Sequence, residues 1–211
     1  MVSIHVHEDV GARGVPMPLP VYDMRPLGTL TDREGNRFAI NVGMSNEIVT
    51  QLRGYSLDES DEAIQEHTSD RKRFGEGSYE EWYGKDRVPF VLIDEKTGVL
   101  AALVWFGPKP LGRKSLKYLT PDELAKESEQ HEELWHTLVY RAYRPYRGRG
   151  LMTAFVGACI DIYLKTFPQA KLWVGIHAGN EASSALARKL GFKEREDLVD
   201  TNAGWLGMIR E

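Results

Sequence analysis

At 211 residues, 42% apolar, 10% aromatic and 27% charged, the chain has the size and apolar content of one α/β-type domain with insertions; disorder and collagen-like structure are excluded. Its 27 basic and 31 acidic residues leave a net charge of −4, the sign opposite to that of a general nucleic-acid binder. No run reaches the roughly eighteen apolar residues of a membrane span, the amino terminus lacks a basic start and apolar core, and the one cysteine, Cys159, cannot close an internal disulfide; a cytoplasmic protein free of membranes is expected.

In chain order, Gly11, Gly14, Pro16, Pro18, Pro20, Pro26, Gly28 and Gly35 interrupt the first 36 positions. They predict an extended arm with at most a hairpin, 27–30 pairing 38–42 across 32–36. Ser45 or Asn46 can cap a helix running through Ile48, Val49 and Leu52 to Gly54, and 58–74 offers a second, mostly charged helix. Two continuous apolar runs, 88–93 and 99–106, flank the turn Asp94-Glu95-Lys96-Thr97-Gly98 and predict a hairpin buried on both faces. Pro108 and Pro110 then break the chain, and Pro121-Asp122-Glu123 starts a helix to about 131, so that 107–133 reads as an insertion.

A strand over 134–143 leads into an arginine- and glycine-rich turn. Leu151, Met152, Phe155, Ala158, Cys159 and Ile162 follow at helical spacing up to Pro168. A strand at 171–177, a helix at 181–190 ended by Gly191 and a closing pair, 192–199 with 205–209, complete a mixed α/β plan.

Charge is unevenly spread. Residues 139–150 hold four arginines (Arg141, Arg144, Arg147, Arg149) and no acid, whereas 58–66 hold five acids and no base. The basic stretch contains Arg147-Gly148-Arg149-Gly150-Leu151-Met152 between a strand and an amphipathic helix. Glycines there let backbone amides approach an oxygen-rich anion, the helix start adds unpaired N–H groups and a positive dipole end, and arginines supply charge-assisted hydrogen bonds. Solvent-facing arginines on an ordinary turn are the plainer reading. A dinucleotide fingerprint is excluded by the missing third glycine; a triphosphate loop at 107–115 is excluded by the inserted Arg113 and two prolines.

Asn180 through Phe192, ending Lys189-Leu190-Gly191-Phe192, reads first as a capped helix with Ala182, Ala185, Leu186 and Leu190 facing the core. In this order and spacing, however, the two segments resemble the paired motifs of the GNAT acyl-CoA-dependent N-acetyltransferase superfamily. The first is similar to its Arg/Gln-x-x-Gly-x-Gly/Ala pyrophosphate loop and the second to its second motif, over roughly 88–209. The resemblance implies an α/β GNAT fold: a mixed central sheet splayed between the 134–143 and 171–177 strands, with flanking helices. It also implies one domain over 1–211, with 1–87 as amino-terminal arm and acceptor-side helices and 88–211 as the acyl-CoA core.

The cosubstrate implied is acetyl-CoA. Its pyrophosphate would lie on Arg147, Gly148, Arg149, Gly150, Leu151 and Met152, and its pantetheine arm on Tyr140, Arg141, Ala142, Asn180 and Ser183. The sequence departs from the family in three places. Met152 stands where the loop ends in Gly or Ala, the tyrosine that often protonates the leaving thiolate falls at Ala187, and a glutamate base of some members falls at Gly175.

Attack on a thioester needs a neutral amine, removal of its proton and support for the oxyanion, while a thiol near pKa ~8.5 leaves without much help. Backbone N–H groups of 138–143 suit the oxyanion. As bases, His136 and His177 are candidates with Glu132 and Glu133 upstream, and Tyr140, on the same strand face as His136, can hold substrate or act as acid. The plainer reading of each histidine is a packed strand residue. His5 and His7 suit a terminal strand rather than a metal site, Cys159 suits the core, and Trp105, Trp135, Trp173 and Trp205 suit core or cleft wall.

The resemblance sets the acidic 58–66 stretch over the acceptor, which favours a cationic amine. The expected activity is transfer of acetyl from acetyl-CoA to a primary amine of a small molecule or peptide by direct attack in a ternary complex, in a monomer or homodimer and without nucleic acid. The competing reading, motivated by Ala187 and Gly175, is a non-catalytic acyl-CoA-binding or sensing module.

Overall fold

The computed structural model describes residues 1–114, 134–200, 202 and 204–210. The expected helix at 121–131, with Glu132 and Glu133, lies outside them. In chain order the elements are β1 (Ser3–Val6), α1 (Glu8–Arg13), β2 (Met24–Thr31), β3 (Arg37–Gly43), α2 (Asn46–Leu57), α3 (Glu62–His67), a π-helical turn (Arg71–Gly75), α4 (Tyr79–Tyr83), β4 (Val88–Asp94) and β5 (Leu100–Pro108). There follow β6 (Trp135–Ala142), α5 (Leu151–Thr166), β7 (Lys171–His177), α6 (Glu181–Lys189), β8 (Lys193–Asp200) and β9 (Trp205–Arg210).

The strands form one open nine-stranded sheet in the order β1-β2-β3-β4-β5-β6-β7-β9-β8. Every described pairing is antiparallel except β6 with β7, which run parallel. That parallel contact is short: Trp135 pairs with Lys171, His136 with Leu172 and Thr137 with Trp173. Beyond it β6 stays laddered to β5 as far as Ala142, and β7 to β9 as far as His177. Each strand is therefore held on its outer side only, and the two diverge as a fork, giving the splayed mixed sheet expected for the GNAT fold.

Helices cover both faces, which explains why β4 and β5 read as unbroken apolar runs rather than alternating ones. On one face α1 and α5 lie over Phe38, Ile40, Phe90, Leu92, Val104, Phe106 and Leu138, contributing Val10, Phe155, Cys159 and Tyr163. On the other, α2, α3, the π-helical turn and α4 bring Ile48, Leu52, Ile64, Phe74 and Trp82 onto Val91, Leu103, Trp105 and Tyr143. Residues 103–106 of β5 thus serve two cores by simple alternation.

The hairpin at 32–36 is closed by Asp32, whose carboxylate accepts from the backbone N–H of Glu34 (2.8 Å) and Asn36 (2.9 Å). Ser45 is the cap of α2, accepting from Ile48 N–H, and the helix runs through Gly54 to Leu57 rather than stopping there. The single helix expected at 58–74 is two pieces. Thr68 is extended (φ −130°, ψ 166°), and its hydroxyl donates to Ile64 C=O and accepts from Asp70 N–H, which ends α3 and starts the π-helical turn. The edge of the sheet is β1, and α1 and α4 were not expected from the sequence because each spans barely a turn or two.

Phe155 is wholly buried where α5 meets the sheet. Phe155→Ala is expected to lower unfolding free energy by about 3–5 kcal/mol, read as a shifted urea midpoint.

Candidate functional site

Where β6 ends, the chain passes through 143–150 into α5. Gly148 and Gly150 take φ of 77° and 75°, the left-handed region in which a side chain is strained. Gly150 is the cap residue of α5 and offers no side chain, so the first amides of the helix lack an intrahelical partner and border a cleft. Four contacts, two from Tyr146 and two from Arg147, brace this loop. The buried Tyr146 ring stands edge-on to Phe38 (5.7 Å, 83°) and its hydroxyl donates to Asp94 Oδ2 (3.0 Å). Arg147 donates from Nε to Ala142 C=O (2.7 Å), and its Nη1 and Nη2 reach both oxygens of Asp61 (2.7 and 2.6 Å).

The cleft of ≈ 1590 Å³ runs from this loop, between the diverging ends of β6 and β7, to Trp82 and Trp105 on the opposite face of the sheet from α5. Across the fork, Tyr140 on β6 donates from its hydroxyl to Ser183 C=O in the first turn of α6 (2.7 Å). Burial first, tempered by that bond, leaves the Tyr140 phenol pushed up to about 12, so it is protonated at neutral pH. Asn180 caps α6 through Oδ1, which accepts from Ser183 N–H (3.1 Å); its Nδ2 is left for the cleft.

A fork in a mixed sheet, with a two-glycine loop and a helix start at its mouth, is a fold-level signature. The family model described as the acetyltransferase (GNAT) domain matches residues 24–193. The chain belongs to the GNAT acetyltransferase family. The match begins within β2, well before the 88–209 stretch that the motifs cover.

Solved structures agree at the level of the fold. The GNAT domain of PAT from S. lividans superposes with a TM-score of 0.58 at 13% identity over 91% of this chain and 98% of that one. The acetyltransferase from Agrobacterium tumefaciens str. C58 gives 0.58 at 13% over 93% and 97%. Among curated protein sequences none matches.

In this GNAT chain the expected site residues separate into two groups. Tyr140, Arg141, Ala142, Arg147, Gly148, Gly150, Leu151, Met152, Asn180, Ser183 and His177 border the cleft; His136 and Arg149 do not. Glu133 lies outside the described residues. His136 faces the α5 side of β6, buried, with Nδ1 hydrogen-bonded to Tyr163 and its ring against Phe167. Only four residues further on, at Tyr140, does that strand face border the cleft. The histidine is a packing residue here, as its plainer reading holds.

The arginines of the loop are likewise committed. Arg147 is spent on Asp61 and Ala142, and the Arg149 guanidinium lies over the Tyr146 ring at 5.3 Å. Gly148, Gly150, Leu151 and Met152 line the cleft, whereas Arg149 does not. Met152 packs partly against the core, which leaves the loop backbone accessible.

The family's acid and base positions are both filled by core. Ala187 is fully buried. At Gly175 an added Cβ would lie 1.9 Å from Cζ2 of Trp205, so the indole occupies the space a glutamate would need.

Two cleft residues, His67 and Arg73, and the buried Asp70 behind Arg73 escaped the sequence reading. His67, at the end of α3, stacks on His177 (ring centroids 5.7 Å apart, 29°), and its buried Nδ1 has no hydrogen-bond partner. His177 Nδ1 accepts from Gly179 N–H (3.3 Å), which assigns the proton of the neutral ring to Nε2. The other two, Asp70 and Arg73, belong to a buried triad. Asp70 Oδ1 accepts from Arg73 Nη1 (2.7 Å), and its Oδ2 from Arg141 Nε (2.7 Å). Both guanidiniums lie against Trp105, 5.3 and 5.2 Å from the ring centroid.

None of the acids of 58–66, expected to overhang the acceptor, borders the cleft: Asp61 turns inward to Arg147, while Asp58, Glu59, Glu62 and Glu66 are exposed. The two blocks of opposite charge in the sequence meet through that one pair.

Burial opposes the charge on Asp61 and Asp70, but the arginines outweigh it and hold both carboxyls below the ordinary aspartate value. Stability from them is present above the unfolded pKa of ~3.9 and is lost as pH falls through the lower folded value. Asp70→Asn leaves two buried guanidiniums uncompensated and is expected to cost about 3–5 kcal/mol. It should also flatten the acid limb of a stability-versus-pH curve measured by urea unfolding from neutral pH downward.

Proposed function

We propose that this protein is an acetyl-CoA-dependent N-acetyltransferase that moves acetyl to a primary amine by direct attack in a ternary complex. The observation that carries the reading is the fork of β6 and β7 opening at the two-glycine loop and the start of α5. The inner edge of β6 beyond Thr137, facing β7, has no partner strand among the described residues, so its backbone groups are available to an extended amide-bearing arm, and the loop amides to a pyrophosphate. Acetyl-CoA, as substrate, supplies an activated acyl group on a good leaving group.

In that reaction the amine nitrogen bonds to the thioester carbon, the C–S bond breaks, thiolate leaves, and the nitrogen sheds one proton. An N–H of β6 supports the oxyanion while it exists. His67, stacked on His177 in the cleft lining, is the acceptor of that proton. Tyr140, protonated and buried at the fork, positions the arm through its bond to Ser183; with its one proton committed there and a pKa of about 12, well above a thiol's ~8.5, it does not protonate the thiolate.

A second reading, an acyl-CoA-binding module without turnover, is favoured by the burial of Ala187 and the closure of Gly175. The two part on one experiment. Acetyl-CoA incubated with amino acids, amines, aminoglycosides and peptides should release free thiol with at least one acceptor; tight acetyl-CoA binding with no thiol release across the panel would leave the binding module.

Gly148→Glu places both a side chain at φ 77° and an anion in the loop. It is expected to abolish retention on immobilised CoA while far-UV circular dichroism is unchanged. His67→Ala is expected to lower kcat about a hundredfold or more at unchanged acetyl-CoA Kd, the ordinary scale for loss of a proton-transfer group. His136→Ala, by contrast, should affect thermal stability and not kcat.

A further inference from the structure

Within the N-acetyltransferase reading above, on which this rests, we infer that the acceptor carries an anionic group, a carboxylate or phosphate, besides its amine, and that Arg73 at the Trp105 wall recognises it. The first ground is charge balance in the triad. Arg73 and Arg141 share the single carboxylate of Asp70, and among the described residues neither has another acidic partner within ion-pair distance. Two guanidiniums that stay protonated against one aspartate leave one unit of positive charge in a largely desolvated place. A buried charge without compensation is costly, so the site is poised for an anion.

The second ground is direction. Arg141 commits Nε and Nη2 to Asp70 and Nη1 to the carbonyl of Tyr140. Arg73 commits only Nη1, to Asp70, which leaves Nε and Nη2 without a hydrogen bond among the described residues. Its side chain is 16% exposed and borders the cleft. A planar fork with two N–H directions open onto a cavity is the donor set for a carboxylate or phosphate oxygen pair.

The third ground is the surrounding field and its place. Arg73 belongs to the helix side of the sheet that carries Trp82 and Trp105, opposite to α5 and its phosphate-suited loop. The acyl-CoA phosphates assigned to that loop therefore do not account for it. Besides Arg73 the cleft lining carries Lys72, Lys85, Arg87 and Lys109, against Glu81 and Asp86. Lys72, the neighbour of Arg73 in the π-helical turn, adds a cation of the sign that draws in an anion and repels a polyamine. The acceptor class is thus a small amino acid or aminoalkyl phosphate whose anionic group meets Arg73 and whose amine reaches toward the fork.

The test uses matched acceptors that differ only in charge: amino acids against their amides and decarboxylated amines, and aminoalkyl phosphates against amino alcohols. For wild type, kcat/KM is expected to favour the anionic member of a pair at least tenfold, and the better of the carboxylate and phosphate series identifies the group. Arg73→Met, which keeps the apolar stem on Trp105, should raise KM for the anionic member about tenfold or more, with KM for the neutral counterpart and Kd for acetyl-CoA unchanged. Arg73→Lys, which keeps the charge beside Asp70, should restore part of the preference.

Equal or better use of neutral or cationic amines by wild type would overturn the inference and leave the N-acetyltransferase reading standing. Binding separates the opposite case. N-acetyl amino acids and their amides are titrated in the presence of CoA, with tryptophan fluorescence as readout. Acid-selective binding that is lost in Arg73→Met, without any thiol release, would sustain anion recognition and sink the transfer reaction. Absence of acid-selective binding and of acid-selective turnover would sink the inference itself.

Discussion

The site depends on how few residues β6 and β7 share. Three residue pairs hold the parallel contact, and beyond Thr137 and Trp173 each strand keeps a full antiparallel partner on its other side. Backbone hydrogen bonds in a buried sheet are expensive to leave unmade. A fork in the middle of a sheet therefore persists only where something else will satisfy those edges, whether solvent or a ligand with amides of its own. The side chains at the fork are consistent with a gap that is kept open: Tyr140 spans it to Ser183, and Trp205 fills the space over Gly175 on the far strand.

A second constraint holds the helical layer to that fork. Asp61 of the acidic block turns inward to cap α3 and clamp Arg147, while Asp70, beyond that block, joins Arg73 to Arg141. Surface ion pairs contribute little, but Asp70 is 1% exposed, and breaking such a pair costs far more than it contributes net. These links run between segments more than seventy residues apart. They tie the loop geometry at Gly148 to the placement of α3 and thereby to His67, so that the two ends of the cleft are mechanically one assembly.

Much of this was legible in the sequence, and the failures have physical causes. Strands β4, β5 and β7 and helices α5 and α6 announce themselves by apolar runs, helical spacing and caps at Asn180 and Gly191, because each is defined by local pattern. Short elements such as α1, α4 and the π-helical turn are held by tertiary contacts, and pattern does not reach them. The loop motif located the glycines correctly, yet it could not say that Arg147 would be spent on Asp61, a partner eighty-six positions away. His136 and Tyr140 share a strand face, as alternation requires, but whether that face meets helix or cleft depends on where β7 leaves β6, which is a property of the sheet and not of the strand. In 58–66, Asp58, Glu59, Glu62 and Glu66 stay exposed, as a run of acids suggests, while Asp61 is buried because Arg147, distant in sequence, lies opposite it.

The emptied acid and base positions carry a consequence for the chemistry. With Ala187 in the core and Gly175 covered by an indole, neither family position supplies a phenol or carboxylate to the proposed reaction, and the base proposed for it is an imidazole. An imidazole with a reference pKa of ~6.5 takes the proton of a tetrahedral ammonium easily but does little to deprotonate a free alkylammonium at ~10.4. Turnover would then rise with pH as the neutral amine becomes available, unless the amine itself is acidified. An acceptor whose amine enters a cleft lined with lysine and arginine is acidified in that way, since neighbouring cations disfavour its charged form. The basic lining that selects an anion would thus also help to present the amine in its reactive state, so that recognition and activation are two effects of one electrostatic field.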